Sequence, residues 1–337
     1  MRLETAKTRW SRDSEVELSR SRSIAITEYA PGAQVVARKT VYTSAGLYVL
    51  GERDKPILRW YSKCTCGDIR TGTLRDELCG RNCDFCGNPV TRQRTQPYVV
   101  PEAFSINVDM ESRQRPQRYQ FDTLIRQRQG ATHFIDQIPD SQFEAEGRFA
   151  LAIKENGKLF RYNLGPKSHG YALCQKCGFS EPIFERDRRR GSHKRLRSMG
   201  GLAKCEGKLV AELAYANEFE SFCFLIRPNC PPNSPESLAH ALRKGLCRLL
   251  EIESQEIGVA LRYRDDHPAE IILYDQTPGG AGFVREGKEK FGGVLRCARQ
   301  ICEDCSCEKA CYDCLKDYGN QSLHEKLDRQ SVIEFLR

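Results

Sequence analysis

The sequence offers no apolar run of the about 20 residues that a membrane-spanning helix needs. Its first ten residues, Met1-Arg-Leu-Glu-Thr-Ala-Lys-Thr-Arg-Trp10, lack the apolar stretch of a secretory signal. The absences extend to catalytic motifs. There is no G-x-S-x-G, so nothing points to a nucleophile elbow. His324-Glu-Lys-Leu-Asp328 stops short of H-E-x-x-H because the second His is missing. Asp328 and Arg329 read more simply as a surface or packing ion pair. Gly282-Phe-Val-Arg-Glu-Gly287-Lys288 has the outline of a phosphate-binding loop, but Glu289 stands where a Mg²⁺-binding Ser or Thr is required. A carboxylate there repels phosphate, and the glycines at 279, 280 and 282 read as a tight turn before a helix. Asp265-Asp-His267 precedes Pro268 and reads as a solvated turn. No catalytic constellation emerges, and the chain is not expected to be an enzyme.

What is present is cysteine: 17 in 337 residues. In a chain without an export signal these belong in a reducing, cytoplasmic compartment, where metal ligation is favoured over disulfides. The composition is 39% hydrophobic and 29% charged, with a mean hydropathy of −0.58. That describes a soluble globular protein whose core is lean enough to profit from metal clips.

The expected fold class is α+β, a zinc-knuckle β-rich N-terminal part followed by an α/β zinc-binding C-terminal domain. Residues 1–23 are polar and read as a linker or disordered lead-in. Residues 24–96 read as a small β unit carrying the first zinc knuckle, with strand-like runs around Pro31-Gly32 and Gly46. Residues 97–209 form a mixed β region with the second zinc site, basic loops, and strand-like runs at Phe149–Ile153 and Leu159–Tyr162. Residues 210–337 read as α/β. Phe222–Ile226, Ile257–Leu261 and Glu270–Tyr274 are strands. Ser234-Pro-Glu-Ser starts a helix with Ser as N-cap and Pro at its first position. Leu238, Leu242, Leu246 and Leu249 give that helix one apolar face. After the glycine turn a second helix carries Val294, Leu295, Ala298 and Ile301, and a short helix closes the chain.

Three cysteine clusters carry the chemistry. The first is Cys64-Thr-Cys66-Gly with Cys83-Asp-Phe-Cys86-Gly. Two close pairs on tight turns supply the four thiolates of a tetrahedral Zn²⁺, and nearby Cys79 is a possible substitute for one of them. The second is Cys174-Gln-Lys-Cys177-Gly, completed by His193 and Cys205. The third packs Cys302, Cys305, Cys307, Cys311 and Cys314 into thirteen residues. Cys305, Cys307, Cys311 and Cys314 make the best four and leave Cys302 spare. About three zinc ions per chain are expected, with an iron–sulfur cluster at 302–314 as the alternative. Cys223, Cys230, Cys247 and Cys297 are isolated and read as small core residues.

Basic segments accompany the second cluster: Arg186, Arg188, Arg189, Arg190, Lys194, Arg195 and Arg197. Arg113, Arg115 and Arg118 add arginine among glutamines beside Tyr119. Arginine pairs with phosphate and stacks on bases, so these residues are the expected nucleic-acid contacts.

Leu273-Tyr-Asp-Gln-Thr-Pro-Gly-Gly-Ala-Gly-Phe283, followed by Cys305-Ser-Cys307-Glu-Lys-Ala-Cys311-Tyr-Asp-Cys314-Leu315 and then Asn320 and Leu327-Asp-Arg329, resembles the MrfA-type zinc-binding domain. That domain lies at the C-terminal end of certain superfamily 2 DEAD/DEAH-type helicases, DNA-repair helicases among them. It also occurs in DrmB, the helicase-associated subunit of the DISARM anti-phage system. Ile24-Ala-Ile-Thr-Glu-Tyr-Ala-Pro-Gly-Ala33 and Tyr42-Thr-Ser-Ala-Gly46 look like the region that precedes it in long bacterial helicases. The resemblance implies that Cys305, Cys307, Cys311 and Cys314 ligate zinc and that Gly282–Lys288 is not a Walker motif. The chain departs from such helicases in having no P-loop, DEAD/DEAH box or arginine-finger motif. The expectation is a non-catalytic, DNA-contacting accessory module working with helicase motor domains in cis or in trans, in DNA repair or phage defence, with no membrane partner. The alternatives are a protein–protein adaptor that docks a motor subunit, and an iron–sulfur or redox protein.

Overall fold

The computed structural model describes residues 1–4, 18–37, 40–49, 55–84, 86–106, 132–184, 193–196, 204–264 and 267–337. The fold is α+β, as expected. Its strands are β1 (Arg2–Glu4), β2 (Leu18–Ser19), β3 (Gln34–Ala37), β4 (Thr40–Leu47), β5 (Arg59–Lys63), β6 (Ile69–Gly72), β7 (Thr95–Val99) and β8 (Ala103–Ile106), then β9 (Thr132–Phe134), β10 (Glu144–Glu146), β11 (Phe149–Asn163), β12 (Tyr171–Cys174), β13 (Ser180–Pro182), β14 (His193–Lys194), β15 (Lys204–Cys205), β16 (Leu209–Pro228), β17 (Ile257–Arg264) and β18 (His267–Asp275).

A ribbon of β11 and β16 forms the spine. The two strands pair antiparallel from Phe149↔Pro228 to Asn163↔Tyr215, with a register shift between Lys154 and Gly157. Towards its start β16 meets β12 and, in parallel, β7. Towards its end it meets β18, which pairs with β17. One 20-residue strand therefore runs through both the knuckle-bearing part and the C-terminal part. A five-stranded sheet of order β2-β1-β8-β4-β3 packs alongside, and its Leu47 N–H bonds Gly178 O at 2.8 Å.

Two expectations for the N-terminal region need correction. Residues 2–4 and 18–19 are strands of the smaller sheet, β1 lying parallel to β8, so these stretches are not linker. Arg22–Glu28 is a helix although Ile24, Ile26 and Thr27 favour extended backbone. Burial decides it: Ala25 and Ile26 are fully enclosed, and Asn163 Nδ2 donates to Ile26 O at 2.9 Å. Local propensity is a weak prior against such contacts.

The C-terminal part follows its sequence pattern. Ser234 Oγ accepts from the Ser237 N–H at 3.2 Å and caps the Pro235–Leu250 helix. Leu238, Leu242 and Leu246 face Val294 and Ala298 of the Phe291–Glu303 helix in the main core. The two helices meet at Gly245, where an added Cβ would lie 2.6 Å from Val294 O. On the sheet, Glu270 accepts from Arg227 Nε at 2.6 Å and from Arg262 Nε at 2.8 Å. Glu270 is 1% exposed and Arg262 4%. Arg262 Nη1 also reaches Asp136 O at 2.9 Å, and Arg227 lies 3.6 Å over the Phe143 ring, so this charged cluster fastens the 134–143 segment to the sheet. No helix of the described residues is long and apolar enough to cross a membrane.

Candidate metal centres

The first centre hangs from the β5–β6 hairpin. Its turn is set by Gly67 N–H donating to Cys64 O and Cys64 N–H donating to Asp68 O, and the facing loop by Gly87 N–H on Cys83 O. Cys64, Cys66, Cys83 and Cys86 place their sulfurs within 4.8 Å of one another. Cys64 to Cys86 is 3.5 Å and Cys66 to Cys83 is 3.7 Å. Zn–S bonds of about 2.3 Å at tetrahedral angles put the sulfurs about 3.8 Å apart, so the donor set fits zinc. Cys79 stands outside the group, with its thiol on Thr95 Oγ1 at 3.4 Å.

The second centre brings together Cys174, Cys177, His193 and Cys205. The β12–β13 hairpin supplies the first two, and the β14–β15 pair aligns His193 opposite Cys205. Cys174 and Cys205 sulfurs are 3.8 Å apart and His193 Nε2 lies 3.3 Å from Cys177 Sγ. Phe179 stacks on the imidazole with centroids 4.9 Å apart, and burial holds His193 below the ordinary histidine range, towards the neutral form a metal requires. Gly207 closes the site: its N–H donates to Cys205 Sγ at 3.4 Å, and a Cβ there would stand 2.5 Å from Cys174 Sγ. Gly207→Ala is therefore expected to weaken this centre alone. Elemental analysis should find close to two zinc ions in place of three; an unchanged content would disprove the close approach.

The third centre follows the Phe291–Glu303 helix. Cys305, Cys307, Cys311 and Cys314 stand at 3.4 Å (305–307), 3.5 Å (305–311), 3.6 Å (307–314) and 3.9 Å (311–314). A multi-iron cluster needs cysteines spread far enough to bracket several metals; spacings this short fit a single tetrahedral ion. The Cys307 N–H draws the Cys305 thiol down to about 7, while desolvation and the neighbouring sulfurs push Cys307 up to about 12. Four sulfurs this close share so little negative charge unaided that a cation among them is needed to ionise all four. Cys302 is buried in the helical core, outside the tetrad.

Side chains from outside the loop hold it in place. Arg329 does not pair with Asp328. Its Nε donates to Cys307 O at 2.6 Å and its Nη1 to Cys302 O at 3.0 Å, while Asp328 caps the last helix through Gln330 N–H. From the Pro235–Leu250 helix, Lys244 Nζ reaches Tyr312 O at 2.6 Å and Arg243 pairs with Asp317. No local signal marks these partners, because each lies tens of residues away in sequence.

The glycine turn has its own anion. Asp275, fully buried, accepts from the N–H groups of Ala281 (2.8 Å), Gly282 (2.6 Å) and Val284 (3.1 Å). Backbone amides that a phosphate would need are thus occupied by a carboxylate at the start of the Phe283–Glu289 helix. Asp275→Asn is expected to cost about 2–3 kcal/mol, read by denaturant unfolding, since one face of an amide donates where all three partners also donate.

Among the other expected site residues, Arg195 lies near Cys205, whose thiol is held below its usual range. Burial opposes that shift and hydrogen bonds, first among them from the Gly207 N–H, outweigh it. Arg113, Arg115, Arg118, Arg186, Arg188, Arg189, Arg190 and Arg197 lie outside the described residues, as do Asp265 and Asp266 and the side chain of Lys194. Of the four isolated cysteines, Cys223 and Cys247 are buried and Cys297 partly so. Cys230 is exposed in the turn after β16 and is not a core residue.

The Pro235–Leu250 helix, the glycine turn and the third tetrad occupy one continuous stretch. Residues 238–315 match the MrfA Zn-binding domain. The resemblance expected from the glycine turn and third cluster holds, and three tetrads among the described residues fit about three zinc ions. The chain as a whole is similar to the Druantia protein DruE of Escherichia coli (strain UMEA 4076-1), at 24% identity over 359 aligned residues. The alignment takes in 94% of this chain and 19% of DruE, so the chain spans about a fifth of that relative's length. Two solved structures also align. The DUF1998 helicase MrfA bound to DNA shares 11% identity at a TM-score of 0.38, covering 80% of this chain and 32% of that one. MrfA without DNA shares 11% at a TM-score of 0.35, covering 93% and 32%.

Proposed function

We propose that this chain is a non-catalytic, cytoplasmic zinc module that contacts DNA beside a superfamily 2 helicase motor, in cis or in trans, in repair or phage defence. The observation that carries the reading is the match of residues 238–315 to the MrfA Zn-binding domain, with a zinc-sized tetrad inside it. The three tetrads each hold one zinc through the residues named above. Their work is positional, since they fix turns and loops to the sheet rather than offer an open coordination site. The similarity to DruE along nearly the whole chain supports a role as part of a larger defence machine. The basic segments at 113–118 and 186–197 grip phosphate.

Zinc-loaded protein should bind single- or double-stranded DNA with an affinity that falls roughly a hundredfold between 50 and 200 mM salt, as about four phosphate contacts require. Reversing Arg188, Arg189 and Arg190 to Glu should remove most of that binding while leaving zinc content intact. Absence of salt-sensitive binding by the native sequence would end the DNA-contact reading.

A further inference from the structure

A cavity of about 920 Å³ opens between the start of the Arg22–Glu28 helix, the middle of the β11–β16 ribbon and the Thr277–Gly279 turn. Its size is that of a small-ligand site. Two polar groups stand on its wall. Asn217 is only 6% exposed. Arg161, opposite it across the ribbon, has a buried Nε without an acceptor and no carboxylate in ion-pair range among the described residues. A polar group enclosed to this degree costs stability unless something satisfies it.

The rest of the lining narrows the chemistry. Gln255 and Gln276 add amides, while Glu220 and Glu256 add acceptors. Carboxylates beside the arginine disfavour a phosphate here. The mixture of donors and acceptors instead suits the edge of a nucleobase, which presents both side by side and carries no charge. Arg22, at the mouth, also lines a second cavity of about 650 Å³ together with Lys55 and Arg59. Arg59 is paired with Glu218 at 2.5 Å, but Arg22 and Lys55 have no carboxylate partner among the described residues. Arg22 and Lys55 thus stand beside the amide-lined cavity, with Glu102 on the same wall.

We propose that the 920 Å³ cavity holds an unstacked base of single-stranded nucleic acid, with Asn217 and Arg161 on its edge and Arg22 and Lys55 on the adjoining phosphate. The inference rests on the DNA-contact reading and adds to it the state of the strand and the place where a base is held. Single strands, whose bases are free to splay out, are what such a cavity can admit.

The test measures binding of the zinc-loaded full chain to a labelled 12-nucleotide single strand and to the duplex of the same sequence. Asn217→Leu and Arg161→Met remove the edge contacts; Gln255→Trp blocks the cavity from an exposed rim position and so keeps the fold out of question. Each is expected to weaken single-strand binding about tenfold and duplex binding by no more than about twofold. Moving one abasic position along the strand should cost the native protein about tenfold at its worst position and cost Gln255→Trp nothing. If the native chain binds DNA but Gln255→Trp and Asn217→Leu bind the single strand equally well, the cavity is not the site and the DNA-contact reading survives. If the native chain binds no DNA, that reading fails and takes this inference with it.

Discussion

Cys314→Ser is expected to lower zinc from three ions per chain to two and to unfold the C-terminal loop and its last helix. Cys314 is fully buried, and its sulfur touches those of Cys307 and Cys311. A structural zinc contributes on the order of 10 kcal/mol, comparable with the whole ~5–15 kcal/mol stability of a domain, so its loss leaves that region without enough to fold. Arg329, which ties the last helix to Cys307 O and Cys302 O, then has no ordered loop to hold. Cys302→Ser and Cys79→Ser are the matched controls, since both thiols stand outside the tetrads, and each should keep three zinc. Elemental analysis with a visible spectrum reads the outcome. Three zinc ions in Cys314→Ser would refute the third tetrad, and iron with visible absorption in the native protein would reopen the redox alternative.

Glu270→Ala should destabilise the protein by about 3–5 kcal/mol in urea unfolding, because it takes the carboxylate away from the enclosed Arg262 guanidinium, while Arg227 keeps Asp140. Arg227 and Arg262 both converge on this carboxylate, and Arg262 is nearly as buried as Glu270 itself. The loss comes from the buried Arg262 charge left without its carboxylate and not from any large intrinsic worth of the pairs. Replacing Arg227, Arg262 and Glu270 together by Met should therefore be milder than Glu270→Ala alone, since the three positions then hold no buried charge. A triple variant as unstable as the single one would mean that the cluster acts by packing.

The parts legible from sequence were those where neighbours along the chain decide the outcome. Ser234-Pro-Glu-Ser capped its helix because a cap is a contact over three residues, and the leucines at 238, 242 and 246 showed their face by spacing alone. The first and third tetrads and the Cys174–Cys177 half of the second were legible for the same reason, as their cysteines sit on short turns; His193 and Cys205 meet through the β14–β15 pairing. The Arg22–Glu28 helix is not legible in its residues, because its conformation is set by distant strands. The ribbon was seen only as fragments: Asn217, Glu218 and Glu220 and the register shift at Lys154–Gly157 interrupt the apolar alternation, although the strands run on through them. Asp275, Arg243, Lys244 and Arg329 were not noticed as a set, because what makes them matter is the backbone they reach.

Strand β16 leaves the molecule without a seam. A genetic joint that exchanged only the knuckle-bearing part, or only the MrfA-like part, would divide one continuous strand between two parents. Its register with β11 would then have to be matched by chance, and a slip of one residue turns every side chain to the opposite face. A joint placed within β16 therefore has to preserve that register to keep both parts folded, and the similarity to DruE runs across it, taking in 94% of this chain.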